Sequence, residues 1–261
     1  MISIQGLSRR FGALRAVDGL SLEVPAGEIF GLVGRNGAGK TTTIKMLTTL
    51  LPPTSGSATI AGFDIVRDAA QVRRAIGYVP QALSADGELT GYENLLVFAR
   101  LYDIPRRERR QRIDEALEFM DLRDAADRLV RGYSGGMIRR LEIAQSTLHR
   151  PKVLFLDEPT VGLDPLARHA VWAHVKRLNE ELGATVVVTT HYMDEAEALC
   201  RRIGIMRRGT LTAVDTPEGL KARAGKSATL DEAFERFTAG AEAETSYAET
   251  SSTRHTAGRL G

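Results

Sequence analysis

Ile29-Phe30-Gly31-Leu32-Val33 runs directly into Gly34-Arg35-Asn36-Gly37-Ala38-Gly39-Lys40-Thr41, and that junction decides the fold. Five apolar or small residues in a row read as a strand buried on both faces. Residues 41–51 then carry a helical pattern. A glycine-rich turn between strand and helix, closed by Lys and Thr, has the G-x-x-x-x-G-K-[ST] spacing of a phosphate-cradling loop. Glycines let successive N–H groups converge on a β- or γ-phosphate, and the helix start adds about half a positive charge. On this reading Gly34, Arg35, Asn36, Gly37, Ala38, Gly39 and Thr42 surround the phosphates. Lys40 bridges them and the Thr41 hydroxyl ligates Mg²⁺.

The complement lies downstream. Val153-Leu154-Phe155-Leu156 reads as a second buried strand and delivers Asp157 and Glu158 at its C-terminal end, where open α/β sheets bind ligands. Neighbouring strand residues point to opposite sides, so the two acids are expected to take different tasks. Asp157 suits the magnesium shell, and Glu158 suits orienting and polarising the attacking water. Residues 185–189 form a third β-branched run, and helical patterns fill the sequence between, including residues 138–148 and 169–182. Strands alternating with helices imply a mainly parallel α/β sheet. Two stretches depart from that rhythm. Residues 1–24 hold two strand-like runs and residues 56–60 another, which together predict a small antiparallel sheet. Residues 89–131 are dense in Arg, Glu, Leu and Ala with no strand-like run, which predicts a helical insertion.

Composition excludes several classes. The 261 residues are 43% hydrophobic and carry 35 basic against 33 acidic side chains, a formal charge of +2, which argues against binding nucleic acid by bulk electrostatics. The cluster Arg106, Arg107, Arg109, Arg110 and Arg112 is interleaved with Glu108, Asp114 and Glu115 and has no aromatic platform, so it reads as a solvated helix face. Cys200 is the single cysteine, leaving no disulfide framework and no multi-cysteine zinc site. The apolar runs fall far below the ~18 residues of a membrane span, and residues 1–10 hold no signal-peptide core. A cytoplasmic location is the expectation. No internal repeat is visible.

At Tyr133-Ser134-Gly135-Gly136-Met137 the sequence resembles the ATP-binding-cassette (ABC) ATPase family, whose signature is L-S-G-G-Q. Tyr133 and Met137 depart from that pattern, while the Ser-Gly-Gly centre is intact. The resemblance covers residues 1–225 as one ATPase domain with a P-loop core and the 89–131 insertion. It leaves 226–238 as a short C-terminal segment and 239–261 as a small, polar tail expected to be disordered. It also implies roles for further residues. Ser134, Gly135 and Gly136 would close over the γ-phosphate held by an opposite subunit, in a homodimer or a paired cassette. Gln81, after the strand-like residues 75–79, resembles the glutamine that senses Mg²⁺. Asp164, in Gly162-Leu163-Asp164, resembles the family's D-loop aspartate, although Val161 replaces the usual small residue before it. His191, beyond the run at 185–189, resembles the switch histidine at the γ-phosphate. Phe11 fits the aromatic that stacks on adenine.

No N-K-x-D base-recognition motif favours a GTPase. Within the ABC family, Ala16–Ser21 (A-V-D-G-L-S), Tyr133–Leu141 (Y-S-G-G-M-I-R-R-L), Pro159–Pro165 (P-T-V-G-L-D-P) and Thr229–Phe234 (T-L-D-E-A-F) resemble the drug- and antibiotic-resistance exporters of the daunorubicin-resistance type. This implies an ATP-binding and ATP-hydrolysing subunit, peripheral on the inner face of the cell membrane, that powers a separately encoded permease. The other readings are a soluble mechanical ATPase acting on nucleic acid or the ribosome, and an exporter of lipid or polysaccharide.

Overall fold

The computed structural model describes residues 1–239. Two sheets organise it. The larger has six strands in the order β10-β9-β3-β8-β7-β6, formed by β3 (Ile29–Val33), β6 (Ile76–Val79), β7 (Val153–Asp157), β8 (Thr185–Thr190), β9 (Arg202–Arg207) and β10 (Thr210–Asp215). All neighbours are parallel except the β9–β10 hairpin. Every residue of β3, β7 and β8 is buried, which is why their sequences show runs rather than alternation. Ile29 faces Val186 and Val153 faces Thr185, so the three strands end in register at the same sheet edge. That edge receives the phosphate-loop glycines, Asp157–Glu158 and His191 together.

The smaller sheet is antiparallel, in the order β2-β1-β4-β5, and comprises β1 (Ile2–Phe11), β2 (Leu14–Val24), β4 (Ser55–Ile60) and β5 (Phe63–Asp64). Its inner residues Ile2, Ile4, Leu20 and Val24 join Phe30 and Leu32 of the large sheet and Ile44 and Leu47 of α1 (Lys40–Leu47) in one core. Each such side chain contributes about 1.5–3 kcal/mol on leaving water. α1 begins one residue earlier and ends four earlier than the sequence suggests: Thr48 turns out of it, and Thr49 (φ +63°) reverses the chain.

The opposite face of the large sheet carries the other helices except α2 (Ala69–Ala75), whose Val72 joins the α1 side. In the 89–131 insertion, α3 (Gly91–Leu101) starts at a reciprocal cap, with Glu93 N–H donating to Thr90 Oγ1 (3.1 Å) and Thr90 N–H to Glu93 Oε2 (2.8 Å). α4 (Arg106–Phe119) has no side-chain cap and buries only Ile113 and Leu117. Arg106, Arg107 and Arg110 are exposed on it, while Arg112 bridges Glu108 and Leu148 O. α5 (Gly135–Thr147) packs between this arm and the sheet, α6 (Pro165–Leu182) packs on α5, and α7 (Met193–Leu199) packs on β3 and β8. α2 (Ala69–Ala75) precedes β6. α8 (Pro217–Ala224) and α9 (Leu230–Ala239) close the described chain. Ala239, expected to open the polar tail, is still helical, and residues 240–261 lie outside the described residues.

Candidate nucleotide site

The loop between β3 and α1 is shaped by two glycines. Gly37 (φ +80°) and Gly39 (φ +107°) occupy backbone conformations that side chains disfavour. A Cβ on Gly39 would also meet Ala16 O, and Met206 Cε at 2.8 Å. Gly209 N–H donates to Ala38 O (2.9 Å) and Gly209 O accepts from Asp18 N–H (2.9 Å), so the β9–β10 turn fixes the loop from outside. With Gly39 as its N-cap, α1 has no side chain capping its first amides, which stay free to bind an anion.

Lys40 is buried, at 4% exposure, and its Nζ donates to Gly34 O (2.7 Å) and Arg35 O (3.3 Å). It also pairs with Glu158 Oε1 at 3.1 Å. Glu158 is the centre of the cluster. Its Oε2 accepts from Gln81 Nε2 (3.4 Å) and contacts His191 Nδ1 (3.1 Å), an interaction that requires the Nδ1–H tautomer or imidazolium. Asp157 turns elsewhere, accepting on Oδ1 from Thr41 Oγ1 (3.2 Å) and Thr189 Oγ1 (2.5 Å). The two acids diverge as expected, but not by strand alternation. β7 ends at Asp157, and Glu158 lies beyond it at φ +49°, held there by its N–H donating to Thr189 O and Oγ1, each 3.0 Å. Burial and the nearby Asp157 carboxylate push the Tyr78 phenol on β6 up to about 12.

An open cleft of about 670 Å³ is lined by residues 36–42, Gln81 and Glu158 together with Phe11, Leu14, Arg15 and Arg208; Asp157, Thr189 and His191 are not among its lining residues. Phe11 is 46% exposed in it, with the Arg9 guanidinium 4.7 Å from its ring centre, so the ring is a cleft wall and not part of the antiparallel core. Thr189, Arg15 and Arg208 are additions to the sequence reading. Thr189 had a signal, since a hydroxyl inside a wholly buried strand must find a partner. The two arginines carried none.

Ser134, Gly135, Gly136 and Asp164 do not line this cleft. Ser134 caps α5, its Oγ accepting from Met137 N–H (3.3 Å), and Asp164 caps α6, its Oδ1 accepting from Ala167 N–H (3.0 Å). The two helix starts pack on each other: a Cβ on Gly135 would reach Leu163 at 3.2 Å, and one on Gly136 would reach Ala167 at 2.8 Å. Ser134, Gly135 and Asp164 are exposed, and Leu166 beside them is 81% exposed. Behind this surface Glu195, wholly buried on α7, accepts on Oε1 from Thr160 Oγ1 (2.8 Å) and Trp172 Nε1 (2.9 Å). Burial pushes its carboxyl above the ordinary range, against the pull of these hydrogen bonds.

A buried Lys on a glycine loop, a hydroxyl–carboxylate pair and a second carboxylate beside His191 define a nucleoside-triphosphatase of the phosphate-loop class. The ABC transporter family profile matches residues 17–161, and the chain belongs to that family. It is 46% identical over 224 residues to the daunorubicin resistance ATP-binding protein DrrA3 of Streptomyces coeruleorubidus, covering 86% of this chain and 71% of that protein. Against the linearmycin resistance ATP-binding protein LnrL of Bacillus subtilis it is 40% identical over 225 residues, covering 86% and 72%. Among solved structures, an ATP-binding subunit of an ABC transporter superposes with a TM-score of 0.79 at 30% identity, covering 91% of this chain and 99% of that one. A dimeric ATP-binding cassette bound to ADP and Pi superposes with a TM-score of 0.73 at 28% identity, covering 83% and 98%. The chain is an ATP-binding and ATP-hydrolysing transporter subunit, and no helix among its described residues is long and apolar enough to cross a membrane.

Proposed function

We propose that this subunit powers a separately encoded membrane permease that exports a drug, an antibiotic or another hydrophobic compound, and that it works on the inner face of the cell membrane. The 46% identity to a daunorubicin resistance protein across 86% of the chain supports this most directly. The soluble-machine alternative draws no support from DrrA3 or LnrL, which are named as resistance ATP-binding proteins. The arginines of the insertion are interleaved with acids, so no nucleic-acid partner is expected. Relatives of 46% and 40% identity are named for resistance to two different compounds, daunorubicin and linearmycin, so we assign cargo choice to the permease.

In this reading Gly34–Thr42 hold the triphosphate, Phe11 stacks on adenine, and Thr41, Gln81 and Asp157 hold Mg²⁺. Hydroxyl, amide and carboxylate oxygens suit that hard cation, and Thr41 Oγ1 and Asp157 Oδ1 already lie 3.2 Å apart. Bound Mg²⁺ supplies neutralisation of phosphate charge. Lys40 donates to the phosphates in place of Glu158, freeing that carboxylate to orient water and accept its proton, while His191 holds the γ-phosphate side. Ser134, Gly135, Gly136 and Asp164 serve the nucleotide of a second subunit in a head-to-tail dimer.

Co-expression with the permease tests the assignment. The chain should move to the membrane fraction, hydrolyse ATP faster and lower the accumulation of an exported compound. ATPase stimulated by DNA, RNA or ribosomes, with no membrane recruitment, would overturn it.

A further inference from the structure

Residues 80–90 link β6 to α3 without regular structure, apart from one isolated bridge at Thr90, and carry Gln81 into the cleft. Such a loop would ordinarily be free to move. Here its backbone is gripped by two charged side chains of α5. Arg139 and Glu142 are 2% and 3% exposed and pair at 2.9 Å. Arg139 donates through Nη1 to Pro80 O (2.7 Å) and through Nη2 to Gln81 O (2.7 Å). Glu142 Oε1 accepts from Ser84 N–H, Ser84 Oγ (3.1 Å) and Ala85 N–H (3.3 Å). One turn on, Gln145 donates to Asn94 Oδ1 (3.3 Å), which also accepts from Asp86 N–H (2.9 Å).

A buried ion pair is weak evidence of stability, because desolvation offsets much of its attraction. What distinguishes this pair is where its other hydrogen bonds go. Apart from their mutual contact, all five go to four residues of the Gln81 loop, Pro80, Gln81, Ser84 and Ala85. The Gln81 side chain then lies 3.4 Å from Glu158. Arg139 therefore ties α5 to the Gln81 carbonyl through a two-pronged fork, and the Gln81 side chain is one contact from Glu158. α5 is the helix that starts at Ser134.

We propose that Arg139 and Glu142 are positioning residues for ATP hydrolysis, which fix Gln81 against Glu158 from the helix that begins with the Ser-Gly-Gly motif. This rests on the roles proposed above for Gln81 and Glu158. The pair touches neither nucleotide nor metal and acts through Gln81.

Epistasis in the full-length chain tests it. Arg139→Met with Glu142→Leu removes both charges at similar volume, a change often near neutral for a buried pair, to which the cost of the deleted loop hydrogen bonds is added. The double variant should melt within a few degrees of wild type and bind ATP within about twofold of wild type. Its kcat should fall about tenfold, and the Mg²⁺ concentration for half-maximal rate should rise several-fold. Added to Gln81→Ala, which should itself be slow, the double substitution should cost less than about a further twofold. Losses that multiply in the triple variant, or a folded double variant with wild-type kcat, overturn the proposal. If Gln81→Ala hydrolyses at the wild-type rate, the assignment of Gln81 falls, and the proposal with it. Should the double variant fail to melt cooperatively, Arg139→Lys keeps the charge and loses the fork. It must show a reduced kcat that Gln81→Ala masks, and wild-type kinetics in that variant overturn the proposal equally.

Discussion

Two helix starts in this chain are assigned to phosphate in the proposed function, and they are built oppositely. α1 opens on Gly39 in a left-handed conformation, with no side-chain cap and with Lys40 buried beneath it. α5 opens on a capped, exposed Ser134, and no lysine or arginine lies in its first turn. The first is completed by its own chain: Asp157, Glu158, Gln81 and His191 converge on it. Among the described residues, the second meets the start of α6, at Leu163 and Ala167. A helix N-terminus attracts an anion in either case. The surroundings differ, and in the proposed function they separate a site completed within its own chain from one that awaits a facing surface.

The largest effect should come from the converged side. Glu158→Gln should lower kcat by ~10²–10⁴-fold, because an amide keeps the shape but cannot accept the proton. ATP binding should survive, and gel filtration with ATP should show a dimer. A fully active or strictly monomeric variant breaks the comparison. Lys40→Ala comes next, weakening ATP binding roughly 10–100-fold through loss of a charge-assisted contact worth about 1.5–3 kcal/mol. It should also lower the melting temperature, since Glu158 stays buried without its cation. A fluorescent-nucleotide titration and a melt measure both.

Ser134→Arg should behave otherwise. The ATP affinity of the isolated chain should stay within about twofold while hydrolysis falls by at least about tenfold. Mixing it with Lys40→Ala sharpens the contrast. A head-to-tail dimer of the two places both lesions in one site and none in the other, so ATPase should partly recover. Unchanged ATPase in Ser134→Arg alone would remove Ser134 from the site.

The smallest effect concerns the wall behind the second helix start. The Glu195 carboxyl is raised in the fold. Between the ordinary carboxylate value near 4.3 and that raised value, the folded state binds more protons than the unfolded state, so stability falls as pH rises through the window. Glu195→Gln keeps an oxygen for Thr160 and Trp172 and has no such proton. Relative to the variant, wild type should lose up to about 1.4 kcal/mol per pH unit in that window. Parallel melting curves of the two from pH 4 upward would refute this.

The contrast also explains what could be read in advance. Residues 34–41 were legible because a curled backbone requires glycine at Gly37 and Gly39, and Asp157 and Glu158 were legible as acids closing an apolar run. His191 was placed by its position beyond β8. The left-handed turn at Glu158 was not legible, because acidic residues carry no mark of it and the cause is Thr189 on another strand. Arg139 and Glu142 were invisible for a different reason. Charges three apart on a helix look like a solvated pair, and only the packing of residues 80–85 over them makes them interior. The arginines of α4 had the same appearance, and there it was correct for Arg106, Arg107 and Arg110.

The separation of Ser134 from the cleft has a kinetic consequence. If each nucleotide is clamped by another copy, free subunits must meet before they turn over, and hydrolysis in dilute solution becomes second order in protein. Tenfold dilution would then cut the rate per volume by about a hundredfold. Two copies tethered to one permease would face each other at an effective concentration on the order of millimolar, and the same reaction would become first order. The membrane partner would then set the reaction order, independently of any change it makes to the site.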